Sequence, residues 1–457
     1  MNKKYLSLFL LIGAMVFGGL GCKGLSAADQ AAIQPVTLNY WTVYNNTTAL
    51  EKIVAKYKTL RPYVTVKIKQ LRAEEFDSLF VNALADNVPP DVISIQANNM
   101  GKYVARLSPM PTKVKMATVT VSKNTLKNET TVTMDEPSLP AVSTIKKNFV
   151  STVYDDVVFG DKAYGMPLAL DTLVMYYNKD LLDKANIPEP PKTWEEFMEA
   201  SLAGTKFSAD GEVVQSGVAM GTAKNINNAF DILSLLMMQG GVKMASGNFV
   251  TFASGVEKGM NNSAVEALRF YTDFARPTKK VYSWSEKMEN AFDAFTRGKS
   301  LFYFGYGYEA GRIKQNAPQM NLEVAVVPQL NPNSVTNVAN YWIESVVKNS
   351  RKQNTAWDFV RFMTLPENIA IYVAETKQPT PLRSQIAKQQ EDPFLAPFAS
   401  SALTAKNWYH GRDIKATRDA FGQMITQSLV EVESDGQSVS RDRDAINYAA
   451  RVVQQTM

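Results

Sequence analysis

From Val36 onward, apolar and polar residues alternate, with Val36, Leu38 and Tyr40 on one face of a strand that ends at Trp41. Leu50, Ile53, Val54, Tyr57 and Leu60 then recur at helical intervals until Pro62, behind a capping pair of Thr48 and Glu51. Val64, Val66 and Ile68 mark a second strand, and Phe76, Leu79, Phe80, Ala83 and Leu84 a second helix. After Pro89 and Pro90 the run 91–95 is a buried strand. This β-α-β-α-β order within about 60 residues predicts an α/β fold with a parallel, doubly wound sheet. Ligands of such sheets sit beyond the carboxyl ends of the strands, here residues 41–46 and 96–99.

Four prolines, Pro109, Pro111, Pro137 and Pro140, break the regularity around a Thr-, Val- and Lys-rich stretch. Residues 109–145 therefore read as an insertion, a surface hairpin whose role the sequence leaves open. Later come a helical stretch over 146–156 and a hydrophobic run ending at Tyr177 and Asn178. Helices opened by Thr193 with Glu196 and by Ser263 with Glu266 follow. Strand-like runs return at 300–304, 322–327 and 341–347. Helices over 353–364 and from 412 to the end, the last broken near Gly436, complete a mixed, helix-rich second half.

The chain's start is of another kind. Lys3 and Lys4 precede an apolar run over 5–20, followed by Gly21 and Cys22. That is a secretion signal over 1–21, shorter than the roughly 20 apolar residues that span a bilayer. Cys22, the one cysteine, excludes an internal disulfide and suits lipid attachment. The match to the lipoprotein pattern is imperfect, since Gly19 stands three before Cys22 where an aliphatic residue is usual. On this reading 22–35 is a lipid-anchored tether, and the protein is extracytoplasmic; an ordinary cleaved signal is the alternative.

The composition is globular, 45% hydrophobic and 20% charged, and 457 residues suit two domains. The formal charge of +5 falls to about +3 without the two signal lysines, and no dense basic stripe points to nucleic acid. His410 is the one histidine, so His-rich zinc sites are excluded, and no phosphate loop or serine elbow appears. No cofactor and no metal are expected.

A series of local phrases runs in order along the chain: Tyr40-Trp41, Pro90-Asp91-Val92 before Gln96, Tyr164-Gly165-Met166-Pro167 before Asp171, and Tyr176-Tyr177-Asn178-Lys179-Asp180. Pro191-Lys192-Thr193-Trp194, Ala294-Phe295-Thr296-Arg297-Gly298-Lys299 and Ala356-Trp357-Asp358-Phe359 continue it. Together, in this order, they resemble the extracellular solute-binding proteins of ATP-driven (ABC) importers, the family that includes maltose-binding protein and other sugar binders. The resemblance implies a two-lobed, periplasmic-binding-protein-like fold with a hinge that the chain crosses about three times, near Asp171, Trp342 and Arg383. One lobe would then hold 36–170 and 345–382, the other 171–344 and 383–457. The insertion and the tyrosines of Phe304-Gly305-Tyr306-Gly307-Tyr308 depart from the family pattern.

A sugar shows hydroxyls at its edge and a weakly apolar C–H face, so its cleft needs stacking rings beside planar polar groups. Strand ends and hinge supply Trp41, Tyr44, Asn45, Gln96, Asn98, Asp171, Tyr306, Tyr308, Trp342 and Arg383 as ligand-binding candidates. Each has a plainer reading: Asn45 as a turn former, Trp41 as core, Asp171 as the centre of a structural hydrogen-bond network. Glu344 shares a strand face with Trp342. Trp284, Trp408 and Tyr409 are open between stacking and packing; Trp194 and Trp357, each with an apolar residue three positions on, are packing residues. The expected function is hinge closure around a small polar solute, a mono- or oligosaccharide, handed to a membrane permease. Binders of a peptide, polyamine or anion, and a saccharide-active enzyme, are the alternatives.

Overall fold

The computed structural model describes residues 25–124, 127–256, 262–434 and 437–457; Cys22 and Gly436 lie outside them. The first strand, Val36–Thr42, turns Leu38 and Tyr40 into the core and pairs in parallel with Val64–Gln70 on one side and Val92–Gln96 on the other. Val92–Gln96, in the middle of the sheet, is buried without a break as far as Ile95, Ser94 included, since both its faces are covered. Between the first two strands, the helix Thr47–Leu60 buries Ala49, Leu50, Ile53 and Tyr57 on one stripe. Its cap is Asn46, whose Oδ1 accepts from Ala49 N at 2.9 Å, and not the expected Thr48. Likewise Asn262, not Ser263, caps the helix Ser263–Asp273, whereas Thr193 and Glu196 do form the capping box of Trp194–Gly204.

Two further strands complete the first sheet. Trp342–Val346 runs antiparallel beside Val92–Gln96, and Met166–Pro167 closes the edge. The second sheet has the order Lys206–Phe207, Val213–Val218, Ser300–Gly305, Val174–Asn178, Leu322–Val326. The almost wholly buried helix Ala229–Gln239 and the helices Ser263–Asp273 and Ile414–Leu429 pack in its lobe.

Each sheet has its own hydrophobic core, and the changeover points are sharp: Leu170 lies in the first and Leu173 in the second, Val338 in the second and Ala339 in the first. A small third sheet joins the lobes there. Asn337–Asn340 pairs antiparallel with Asp171–Thr172 and parallel with Ala405–Lys406. The crossing expected near Trp342 thus falls just ahead of it. The one expected near Arg383 is corrected: Ile386, Ala399 and Ala402 still pack in the first core, and the chain crosses through Ala396–Ala402 and Ala405–Lys406. Arg383 itself is tied into the first lobe, donating from Nε to Phe149 O and from Nη2 to Ser151 Oγ, both at 2.8 Å. The proposed lobe limits at 345 and 383 shift accordingly, to about Ala339 and Ala405.

Just beyond that crossing, Trp408 and Tyr409 pack in the second core while the next residue, His410, reaches back to the first lobe. Its Nε2 lies 2.9 Å from Oδ1 of Asp156, whose other oxygen accepts from Tyr341 and Asn407. Burial by itself would lower the His410 pKa, but the hydrogen bond and charge of Asp156, with the charge of Asp155, hold it above the usual histidine range. A raised base stabilises the fold below its unfolded value near 6.5, and that contribution is lost as pH rises through the higher folded value. His410→Ala should therefore lower the melting temperature more at pH 6 than at pH 9. Equal losses at both would refute the clasp.

The insertion forms a two-stranded ribbon, Met116–Asn124 against Lys127–Asp135, paired from Met116 with Asp135 to Asn124 with Lys127. A two-stranded ribbon is marginal alone. Its base is held by the fully buried Arg61, which donates to Ala117 O at 3.1 Å, to Thr118 Oγ1, and to Asp135 at 3.1 Å.

Candidate functional site

The hinge sheet forms the base of a cleft of about 410 Å3 between the lobes, with Asp171 and Asn340 at the bottom. The loop after the first strand brings Tyr44 and Asn45 to one wall, and the antiparallel neighbours Gln96 and Trp342 join them. The other wall carries Asp231, Tyr308, Arg312 and Arg418. A second chamber of about 680 Å3 opens beside the first, sharing Tyr44, Asn45, Tyr308 and Gln378 with it.

Exposed aromatic rings stand on both walls. Tyr44 is 62% exposed, its ring centred 5.2 Å from that of Trp342. Opposite, Tyr308 is 45% exposed and stacks on the fully buried Tyr306, 5.9 Å away with planes 12° apart. Two buried carboxylates fix this turn. Asp171 Oδ1 accepts from Thr172 N at 3.0 Å and Gly307 N at 2.8 Å, and Oδ2 from Tyr308 N at 3.0 Å. A Cβ at Gly307 would stand 3.1 Å and 3.2 Å from those oxygens, which is why glycine separates the two tyrosines. Glu309 accepts from Tyr306 N and from the Tyr303 hydroxyl. Burial pushes the Asp171 pKa up to about 7 against the lowering effect of its three N–H donors.

On the facing wall the fully buried Glu344 accepts from Tyr40 and Ser94 hydroxyls, both at 2.5 Å, and from Asn45 Nδ2 at 2.6 Å. Burial raises it to about 7 while these donors pull it down. Asn45 is thus oriented by the carboxylate beneath it. Gln96 donates to Asn340 Oδ1 at 2.6 Å, linking a strand end to the hinge. Burial also raises Asp231; the Arg418 charge and the Tyr306 phenol temper the rise.

The structure therefore brings Tyr44, Asn45, Gln96, Asp171, Tyr308 and Trp342 to the cleft. It places the other candidates elsewhere. Trp41 lies on the face of the strand opposite Tyr40, under the Lys69 ammonium 5.0 Å from its ring. Asn98 is buried, and Asn99 lines the cleft in its stead. Tyr306 supports Tyr308 from behind, and Arg383 belongs to the first lobe's packing. Trp284, Trp408 and Tyr409 are core residues, their polar atoms bonded to Asn225, Ser234 and Thr456. Sequence reasoning left out Asp231, Arg312, Arg418 and Asn340. Asp231, an acid inside the apolar run of Ala229–Gln239, gave the signal that singled out Asp171. No group of His, Cys, Asp and Glu among the described residues could hold a metal ion, and no described helix is long and apolar enough to cross a membrane.

Solved structures share this architecture. The sugar-binding protein MalE from Xanthomonas citri superposes with a TM-score of 0.69 at 17% identity, covering 92% of this chain and 97% of that one. The cyclic alpha-maltosyl-1,6-maltose binding protein from Arthrobacter globiformis gives 0.71 at 17% identity, covering 92% and 99%. Among curated relatives, a binding protein of Brucella abortus (strain 2308) is 27% identical over 223 residues, 48% of this chain; the match spans only half of that protein's length, 50%. The galactooligosaccharide-binding protein of Bacillus subtilis (strain 168) is 20% identical over 391 residues, 83% of this chain and 81% of the relative. The model of the bacterial extracellular solute-binding protein family matches residues 52–397, and with its two lobes, hinge sheet and inter-lobe cleft the chain belongs to that family.

Proposed function

We propose that this protein captures a small saccharide between Tyr44–Trp342 and Tyr308, closes its lobes over it, and delivers it to an ABC transporter permease. The observation that supports this most is that two exposed rings line the same cleft from opposite walls, Tyr44 at 62% exposed with Trp342 beside it and Tyr308 at 45%. Asn45 and Gln96 on one wall, with Asp231, Arg312 and Arg418 on the other, supply acceptors and donors for ring hydroxyls. The names of relatives point the same way: maltodextrin- and galactooligosaccharide-binding proteins of Bacillus subtilis. The protein binds and releases its solute unchanged, and Cys22 carries the lipid that keeps it at the membrane.

Calorimetric titration with maltodextrins and galactooligosaccharides tests the reading, with chromatography to show that the sugar is recovered intact. A bound sugar should lose about 2 kcal/mol of affinity, roughly 30-fold in Kd, in Trp342→Ala and in Tyr308→Ala, as for other anchoring aromatics. Absence of heat with every saccharide, alongside binding of a polyamine or peptide, would overturn it.

A further inference from the structure

The ribbon Met116–Asn124/Lys127–Asp135 has no part in the cleft, yet it is well anchored. Its register places Ala117, Val119 and Val121 on one face with Val132 and Met134. Apart from Thr130, opposite Val121, that face is apolar; Ala117 at its base is buried, while Val121 and Met134 are 54% and 62% exposed. The other face is mainly Thr, Ser and Asp. A long exposed edge of this composition invites association.

What lies next to it is the start of the chain. The helix Ala27–Ala32, capped by Ser26, packs against the strand Lys127–Asp135. Residues 23–26 alone separate Cys22 from Ala27, a reach of at most about 18 Å. Each strand of the ribbon has 9 residues, about 30 Å in length. A lipid on Cys22 therefore holds the ribbon at the bilayer, within less than the ribbon's own length.

We propose that the apolar face of this ribbon rests on the lipid bilayer and sets the orientation of the tethered protein; this depends on the anchor at Cys22 proposed above. The lipid surface fits better than a protein partner because the anchor brings it there without any further recognition.

The test couples the full chain from Cys22 to a maleimide lipid through its single thiol, in vesicles of phosphatidylcholine with phosphatidylglycerol. Hydrogen exchange is then compared with the uncoupled chain. Amides within 116–124 and 127–135 should exchange about tenfold more slowly on the vesicle, with the cleft unchanged. Val121→Asp with Met134→Asp, both exposed, should abolish the protection and leave the melting temperature alone. Unaltered exchange in the ribbon, or protection already present in the uncoupled chain at high concentration as a self-association would give, overturns the proposal. Chemical coupling supplies the anchor, so a failure of natural lipidation, read by mass spectrometry of protein from membranes, is seen separately.

Discussion

Replacing Arg61 with alanine should destabilise the protein by about 3 kcal/mol and free the ribbon from the body. Arg61 is 1% exposed, and its Nε donates to Asp358 Oδ2 at 3.0 Å while Nη2 reaches Asp135. Asp358 is fully buried and, among the described residues, would keep the Tyr57 hydroxyl and Arg361. Those two partners keep the loss at the lower end of the 3–5 kcal/mol typical of a broken buried pair. The Ala117 carbonyl would still hold the Tyr63 hydroxyl, but Thr118 and Asp135 would lose the guanidinium. Urea denaturation measures the first effect, and limited proteolysis within 113–136 the second. Arg61→Met with Asp358→Leu should recover most of the stability and none of the ribbon's protection. If the single variant unfolds at the wild-type urea concentration, the buried pair is not what joins ribbon and lobe.

That clamp shows where sequence reading stops. The first three strands and two helices were legible because proline punctuation and the periods of 2 and 3.6 agree locally. Arg61 gave no such signal: its partners lie far along the chain, and a lone arginine before Pro62 reads as a helix end. The third hinge crossing failed for a related reason. Thr380-Pro381 looks like a connection, while the true crossing uses the two-residue strand Ala405–Lys406, too short for any period. In the cleft, strand ends were found but facing was not always. Trp41 and Tyr40 are adjacent, so one must point away from the other, and Tyr306 and Tyr308 differ only in which side of Gly307 they occupy. Arg312 and Arg418 come from helices of the second lobe, whose approach to the hinge no local pattern encodes.

Glu344→Gln should make the protein more stable at pH 8, by about 2 kcal/mol, and remove part of its pH dependence. Burial raises the folded pKa of Glu344 to about 7 from a usual 4.5. A carboxyl raised on folding binds more protons folded than unfolded between those values, so its contribution to stability falls as pH rises from about 4.5 to about 7 and is level above that. The full span is about 3 kcal/mol, and a glutamine, whose neutral hydrogen bonds to Tyr40, Ser94 and Asn45 are weaker, recovers most of it. Asp171 titrates in the same direction, so the wild-type slope holds both groups and the difference between wild type and variant isolates Glu344. Urea denaturation at pH 5 and pH 8 gives that difference; identical slopes would show that Glu344 is not the strained group. Such a carboxylate is held at a loss of stability, an arrangement expected where a site needs the group. On the saccharide reading it keeps the Asn45 amide aimed and its own charge next to a wall that receives hydroxyls. The same variant should then gain in melting temperature while losing saccharide affinity. A gain in both would assign Glu344 to the fold alone.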